Sequence, residues 1–566
     1  MMKRRLFVFS VGCVVLLAAA FLGGCGGKKD AAGGASTTAG TKTPITFTFY
    51  NDELTQDLSF TDPVAKKIQE ATGVTLNVTH PVGGDASAVS LMLASGDLPD
   101  FIYSRTPGLN AFLDAESVIP LDDLIDQYGP NIKKLYGPYF SHLRYSTNDP
   151  TIYQFPSYDV RQAFWQTDGI MQVQHAVLKE LGYPKMESLQ DVENALKAYY
   201  RAHPSIDGQP TLPISLPFDG YGWLFSVGNT AGFMAGWPDD GEYYVDQETL
   251  ETTFKWIRPE MKVYPQWLNK MYNEGLLDQE TFTQTNDTFL AKVAAGRVLS
   301  IALPRWYYAS AVATLMGDGK PDRTYAYLPI VNDASIKSRL MVDYGFAGGW
   351  GIMITTKCKD PARVVEFFNY MCSEEAQILV NWGIEGENYD TIDGKRVLQA
   401  DDWEGMQSDP DYSRKTGVAS AGFGGSSGWQ YPFPEYGAAY IDSTGNYMTP
   451  ISPETVKAQY TPIERETLAA YGKEMWTDLF LKPEDMPVQR HGRAFEFALS
   501  PDTNALFVQL YDTIANHLGK ILMAKPGDFD QLWDAMVKEM YSVGVEKVNE
   551  EMTRIIRDKV NLWEKE

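Results

Sequence analysis

The sequence predicts an α/β protein, and three observations carry that expectation. Strand-like and helix-like segments alternate from residue 45 onward. The chain has 566 residues, enough for several domains' worth of buried core. Its 44% hydrophobic and 22% charged residues are those of an ordinary folded protein rather than a disordered one. Residues 45–50 alternate β-branched and aromatic side chains and read as a strand. Residues 63–72 read as a helix, with Val64, Ile68 and Ala71 on one face and Gly73 at its end. Residues 74–78 form a second strand. Residues 86–95, with apolar Val89, Leu91, Met92 and Leu93, form a second helix stopped by Gly96, and residues 98–103 form a third strand. This order means a parallel sheet with crossover helices. Ligands of such sheets sit beyond the carboxyl ends of the strands. That rule nominates Asp52 and Glu53 after the first strand and Arg105 after the third.

The first residues address the compartment. Lys3, Arg4 and Arg5 precede an apolar run over residues 6–22, then Gly23, Gly24 and Cys25. A basic start, an apolar middle and small residues before a cut describe a secretory signal over residues 1–24. The run is at the short end for a membrane span of ~20 residues. Leu22-Gly23-Gly24-Cys25 resembles a bacterial lipobox, which implies Cys25 as the lipidated first residue and a palmitate anchor. Residues 25–42 hold no side chain bulkier than Ala, Thr, Lys or Asp and read as a flexible tether. The expected location is the extracellular face of a bacterial cell membrane, with no further membrane segment.

Charge and motifs then exclude several chemistries. Lys plus Arg total 49 and Asp plus Glu total 73, a net charge of −24, which repels phosphate backbones and argues against a nucleic-acid partner. Of four cysteines, Cys358 and Cys372 fall at opposite ends of a helix near residues 360–370, roughly 15–18 Å apart. A disulfide requires Cα atoms within ~7 Å, so none is expected. Gly424-Gly425-Ser426-Ser427-Gly428 matches a nucleophile elbow, but that motif needs a strand before it and a helix after it, and Pro432 and Pro434 follow. The six histidines are scattered without metal-ligand spacing. No metal, cofactor or catalytic residue is expected. A pair of glycosidase carboxylates stays open, since their separation is a three-dimensional property.

Three blocks carry a family likeness. They are Ala94-Ser95-Gly96-Asp97-Leu98-Pro99-Asp100; Gly275-Leu276-Leu277-Asp278 with Ala294-Ala295-Gly296-Arg297-Val298; and Lys359-Asp360-Pro361 with Ser373-Glu374-Glu375-Ala376-Gln377 and Gly383-Ile384-Glu385-Gly386-Glu387-Asn388-Tyr389. In this order they resemble the extracellular solute-binding lipoproteins of ABC sugar importers, in the large branch that binds aldouronates and related oligosaccharides. The resemblance implies a periplasmic-binding-protein-like type II fold: two α/β lobes, a hinge crossed about three times, and a helical C-terminal extension. It places lobe 1 at 43–158 and 328–395, and lobe 2 at 159–327 and 396–566. Residues 152–160 look like the first crossing, and 325–329 with 348–354 like the return. Gly345 to Gly351 suit backbone that must pass close to a ligand or bend at a hinge. Residues 529–556 and 460–480 read as helices; residues 402–447 are rich in Gly, Ser, Asp and Pro, and within them 422–429 read as a long loop. Relatives often carry a calcium loop in the second lobe. Residues 203–210 lack its oxygen spacing, so no calcium is expected there.

A sugar offers C–H faces to aromatic plates and a belt of hydroxyls to planar polar groups. The candidate plates are Trp165, Trp223, Trp237, Trp306, Trp350, Trp382 and Trp429. Trp306, in Leu303-Pro304-Arg305-Trp306, leads because it follows an apolar strand and resembles the ring-stacking Trp of maltose-type binders; Trp223 and Trp350 come next. Arg105, Arg161 and Arg305 could pair with a uronate carboxylate. The expected function is capture of an oligosaccharide between two lobes and delivery to an ABC permease by a monomeric, lipid-anchored protein that breaks no bond. The alternatives are a secreted polysaccharide hydrolase or lyase, and an oligopeptide-binding lipoprotein.

Overall fold

A computed structural model describes residues 43–54, 57–81, 85–105, 108–157, 159–167, 170–346, 348–409, 411–419 and 433–565. Nine strands build two sheets: β1 (Ile45–Asn51), β2 (Val74–Thr79), β3 (Phe101–Tyr103), β4 (Gln154–Pro156), β5 (Met171–Gln174), β6 (Leu212–Ile214), β7 (Val298–Ala302), β8 (Tyr325–Tyr327) and β9 (Gly351–Ile354). The first sheet runs β2-β1-β3-β9-β4 and the second β8-β5-β7-β6. β1 pairs parallel with β2 and β3, as the alternation of strands and helices predicts. β9 enters antiparallel between β3 and β4.

Local chemistry starts and stops the crossover helices. α1 (Pro63–Thr72) opens where Asp62 accepts the Ala65 amide at 2.7 Å, with proline in its first turn. Val64 and Ile68 face the core, and Gly73, at φ +70°, ends the helix with its amide on the Gln69 carbonyl at 2.7 Å. α2 (Asp85–Ser95) stops before Gly96, also at φ +70°.

Each sheet has its own core. In the first, Phe49 stacks on Phe101 with ring centroids 4.7 Å apart, and Phe155 stacks on Phe368 at 5.0 Å. In the second, Trp256, Tyr264 and Leu268 pack against the C-terminal helices α3 (Pro501–Met523), α4 (Phe529–Val543) and α5 (Val545–Trp563). Gly544, at φ 115°, separates the last two helices, where the apolar spacing alone reads as one broken stretch.

Three expectations need correction. Tyr325–Tyr327 does not return to the first lobe. It is the edge strand beside β5, because Tyr325 is buried against Tyr308 at 5.7 Å and bonds the Val298 carbonyl at 2.9 Å. The return is made by β9 alone. Residues 396–448 do not belong with lobe 2: Met406, Tyr412, Val418, Phe433, Tyr436 and Met448 are buried in the first core. Within that stretch Ala400–Ser408 and Tyr412–Thr416 are helices, and the loop expected over 422–429 lies outside the described residues. The 460–480 segment is a helix only over Pro462–Ala470, followed by a 3-10 turn at Trp476–Leu479. Cys358 and Cys372 flank helix Pro361–Met371 and are unpaired.

The chain passes between the cores after β4, after β8 and after Met448. At the first passage Val160 and Arg161 donate to the Glu435 and Tyr436 carbonyls at 3.1 and 3.0 Å. Burial pushes the Asp159 and Glu435 carboxyls up, and the charge of Asp159 pushes Glu435 further in the same direction. The end of α5 reaches back to the first lobe. Trp563 stacks on His142 at 4.0 Å, Lys559 donates to the Arg144 carbonyl at 3.0 Å, and Asp558 accepts the Thr147 amide at 3.0 Å.

Two outcomes follow from these junctions. A Cβ on Gly351 would lie 2.6 Å from the Phe155 carbonyl carbon in the neighbouring strand. Gly351→Ala should therefore lower stability by about 1–3 kcal/mol in urea unfolding, the usual cost of overpacking. Burial, with Asp239 and Asp240 adding to it and Arg493 opposing, pushes the Glu496 carboxyl up to about 7. A carboxyl raised on folding contributes stability below its unfolded value, lost as pH climbs through the folded one. Glu496→Gln mimics the protonated form. Its melting temperature should gain on that of the native chain between pH 4.5 and about 7, measured by differential scanning fluorimetry across that range.

Candidate functional site

Strand directions decide which side chains share an edge. The carboxyl ends of β1, β3 and β4 and the amino end of antiparallel β9 lie on one side of the first sheet. Asp52, Glu53, Arg105 and Trp350 are thereby brought together. Asp52 accepts the Arg105 amide at 2.6 Å, and Glu53 pairs with the Arg105 guanidinium at 2.5 Å. That guanidinium lies 3.9 Å above the Trp350 ring, a cation–π contact. The Ser157 amide on the Trp350 carbonyl at 3.1 Å fixes the plate. On its other flank Trp350 meets Phe495, a residue of the C-terminal segment, at 6.2 Å. Arg493 then lies over Phe495 at 5.9 Å and over Tyr344 at 4.6 Å.

The second sheet has a matching edge. β7 is parallel to β6 and antiparallel to β5, so the residues after β7 and β6 share a side with those before β5. Trp306 sits there, 58% exposed, held edge-on against Phe225 at 5.2 Å and tilted against Tyr307 at 5.6 Å. An indole so exposed keeps a face for a ligand. Tyr221, 73% exposed, follows β6. Arg305 lies over Tyr327 at 5.2 Å, whose hydroxyl is 3.3 Å from that of Tyr308; Tyr308 also bonds Gln172.

The other sequence candidates are placed elsewhere. Trp223 is only 5% exposed and packs against Trp256 and Tyr511 at 5.9 and 5.7 Å, so it belongs to the second core. Trp237 is covered by Tyr244 at 5.0 Å and by Arg258. Trp382 is buried in the first lobe and donates to the Tyr447 carbonyl at 3.2 Å. Trp165, on the first passage between cores, meets Tyr447 edge-on at 5.4 Å, and Arg161 lies over Tyr440 at 5.8 Å. Trp429 and Cys25 lie outside the described residues. Residues 205–210 form a tight hairpin in which Asp207 pairs with Lys320 at 2.8 Å. Among the described residues no group of three His, Cys, Asp or Glu is placed to hold a metal ion, and no helix is long and apolar enough to cross a membrane.

Sequence reading missed Tyr221, Phe225, Tyr327 and Phe495. The Gly220-Tyr221-Gly222 setting is a usable signal for the first. Phe495 has none, because only the folded C-terminal segment brings it to Trp350. A groove of about 560 Å³ lies on the first lobe, away from both edges, beside Lys67, Tyr370 and Tyr389.

Comparison with known proteins fits this geometry. The family model for bacterial extracellular solute-binding proteins matches residues 64–382. The fructooligosaccharide ABC transporter substrate-binding protein FusA of Streptococcus pneumoniae is 26% identical over 308 residues, covering 50% of this chain and 55% of that protein. An uncharacterised protein of Niallia circulans is 26% identical over 129 residues, 23% of this chain and 49% of its own. The chain thus spans about half the length of the curated relatives it matches. Among solved structures, FusA of S. pneumoniae in complex with kestose superposes with a TM-score of 0.64 at 17% identity, over 91% of this chain and 99% of that one. The alginate-binding protein AlgQ2 gives 0.61 at 19%, over 91% and 99%. A solute-binding protein of Bifidobacterium longum subsp. infantis gives 0.63 at 16%, over 93% and 100%. These likenesses establish the type II solute-binding fold. With two sheets whose carboxyl edges carry aromatic plates, and a family model matched over more than half its length, the chain belongs to the bacterial extracellular solute-binding proteins.

Proposed function

We propose that this protein captures an oligosaccharide between its two lobes and passes it, chemically intact, to the permease of an ABC importer. The observation that carries this reading is the pair of aromatic surfaces on separate sheets: Trp306 with Phe225 on one, Trp350 under Arg105 on the other. A ligand that stacks on Trp306 and touches the Glu53–Arg105–Trp350 group would bias a hinge equilibrium toward closure, which is how a ligand with contacts to two lobes acts. The FusA relative is described as a fructooligosaccharide-binding protein, which supports the ligand class. The enzyme reading gains nothing from the Asp159–Glu435 pair, whose carboxyls are hydrogen-bonded to each other and so are closer than the separation of a glycosidase pair. On this reading the protein works as a monomer at the extracellular face of the cell membrane, tethered through residues 25–42 by lipid on Cys25.

Two measurements test this. In isothermal titration calorimetry, Trp306→Ala should weaken oligosaccharide binding by about 1–3 kcal/mol, taking base–aromatic stacking as the scale; unchanged affinity removes Trp306 from the site. A peptide ligand, or release of shorter sugars from a polymer, would replace the reading. Cells fed an alkyne analogue of palmitate should label the native chain and not Cys25→Ala; equal labelling of both would end the anchor assignment.

A further inference from the structure

We infer that the ligand is a neutral oligosaccharide and that this cleft rejects sugars bearing carboxylates, an inference that rests on the oligosaccharide reading above. Arginine is the side chain best suited to a uronate, since its planar donor fork matches a carboxylate bidentately, and it does so only with that fork or a face left open. The arginines at the two edges are committed elsewhere. Arg105 has its face on Trp350, its Nη1 on one Glu53 oxygen and its own amide on Asp52. Its charge is thus paired with the Glu53 carboxylate before any ligand arrives. Arg305 lies over Tyr327 at 5.2 Å from the ring centre, with Nη2 shielded from solvent. Arg493 is held between Phe495 and Tyr344 and lies in the field of Asp159 and Glu496.

Carboxylates, by contrast, are in excess around the plates. Asp52 and Glu53 face one arginine beside Trp350. Asp239 and Asp240 act on Glu496, close to Arg493. Asp219 lies near Tyr307, the neighbour of Trp306. A carboxylate accepts hydrogen bonds from sugar hydroxyls and repels an acidic sugar brought into the same low-dielectric space. The sugar such a set of plates and acceptors fits has only hydroxyls to offer.

The test is calorimetry on the mature protein with two panels of matched length. The neutral panel holds fructo-, malto- and xylo-oligosaccharides; the acidic panel holds oligogalacturonides, alginate oligomers and glucuronoxylan aldouronates. At least one neutral sugar should bind about 100-fold more tightly than every acidic one, with a dissociation constant unchanged between low and high salt. Glu53→Gln frees the Arg105 fork and should narrow that gap by roughly tenfold, through acidic sugars gaining rather than neutral ones losing. An acidic sugar bound as tightly as the best neutral one, or a panel with no neutral binder, overturns the inference. The first of these results leaves oligosaccharide capture standing. Binding of peptides in place of all sugars overturns both.

Discussion

Most of the architecture depends on one strand entering between two others. β9 comes from the far side of the molecule, after the chain has built the second sheet, and slots antiparallel between β3 and β4. Its direction puts its first residues on the ligand edge, so Trp350 arrives beside Arg105 although the two are remote in sequence. The close approach is possible because Gly351 has no Cβ to strike the Phe155 backbone. That closeness serves the sheet rather than a ligand; the neighbour it accommodates is another strand.

The way arginine and aromatic rings alternate explains how a polar cleft can be rigid before a ligand arrives. Glu53, Arg105, Trp350, Phe495, Arg493 and Tyr344 form a continuous stack running from the first sheet's edge into the C-terminal segment. Exposed ion pairs alone contribute little. Here each guanidinium also lies against a ring, which fixes its plane and adds the cation–π attraction. A preorganised plate costs a sugar less ordering entropy than a mobile one.

Local signals in the sequence were enough for the first βαβαβ unit. Asp62 and Gly73 delimit a helix by capping chemistry, and the alternation of residues 45–50 matches a strand whose rings enter the core. The edge residues Asp52, Glu53 and Arg105 were legible for the same reason, because the carboxyl-end rule needs only strand order. The failures were non-local. Nothing in Tyr325–Tyr327 says which sheet it joins, and a stretch rich in Gly, Ser and Asp conceals Met406, Tyr412 and Met448, whose partners lie in the first core. Trp223 and Trp306 look alike in sequence. One is sealed against Trp256 and the other is left open, a difference set by helices more than two hundred residues downstream.

The late contributions to the first core bear on how such a chain can reach its native state. Phe433, Tyr436 and Met448 complete a core begun by Phe47 and Phe49, and Trp563, at the end of the last helix, closes against His142. Contacts of such high sequence separation form slowly. Until those later residues arrive, the strands that open the chain keep apolar faces uncovered, so the order in which the polypeptide is made runs against the order in which its first core is sealed.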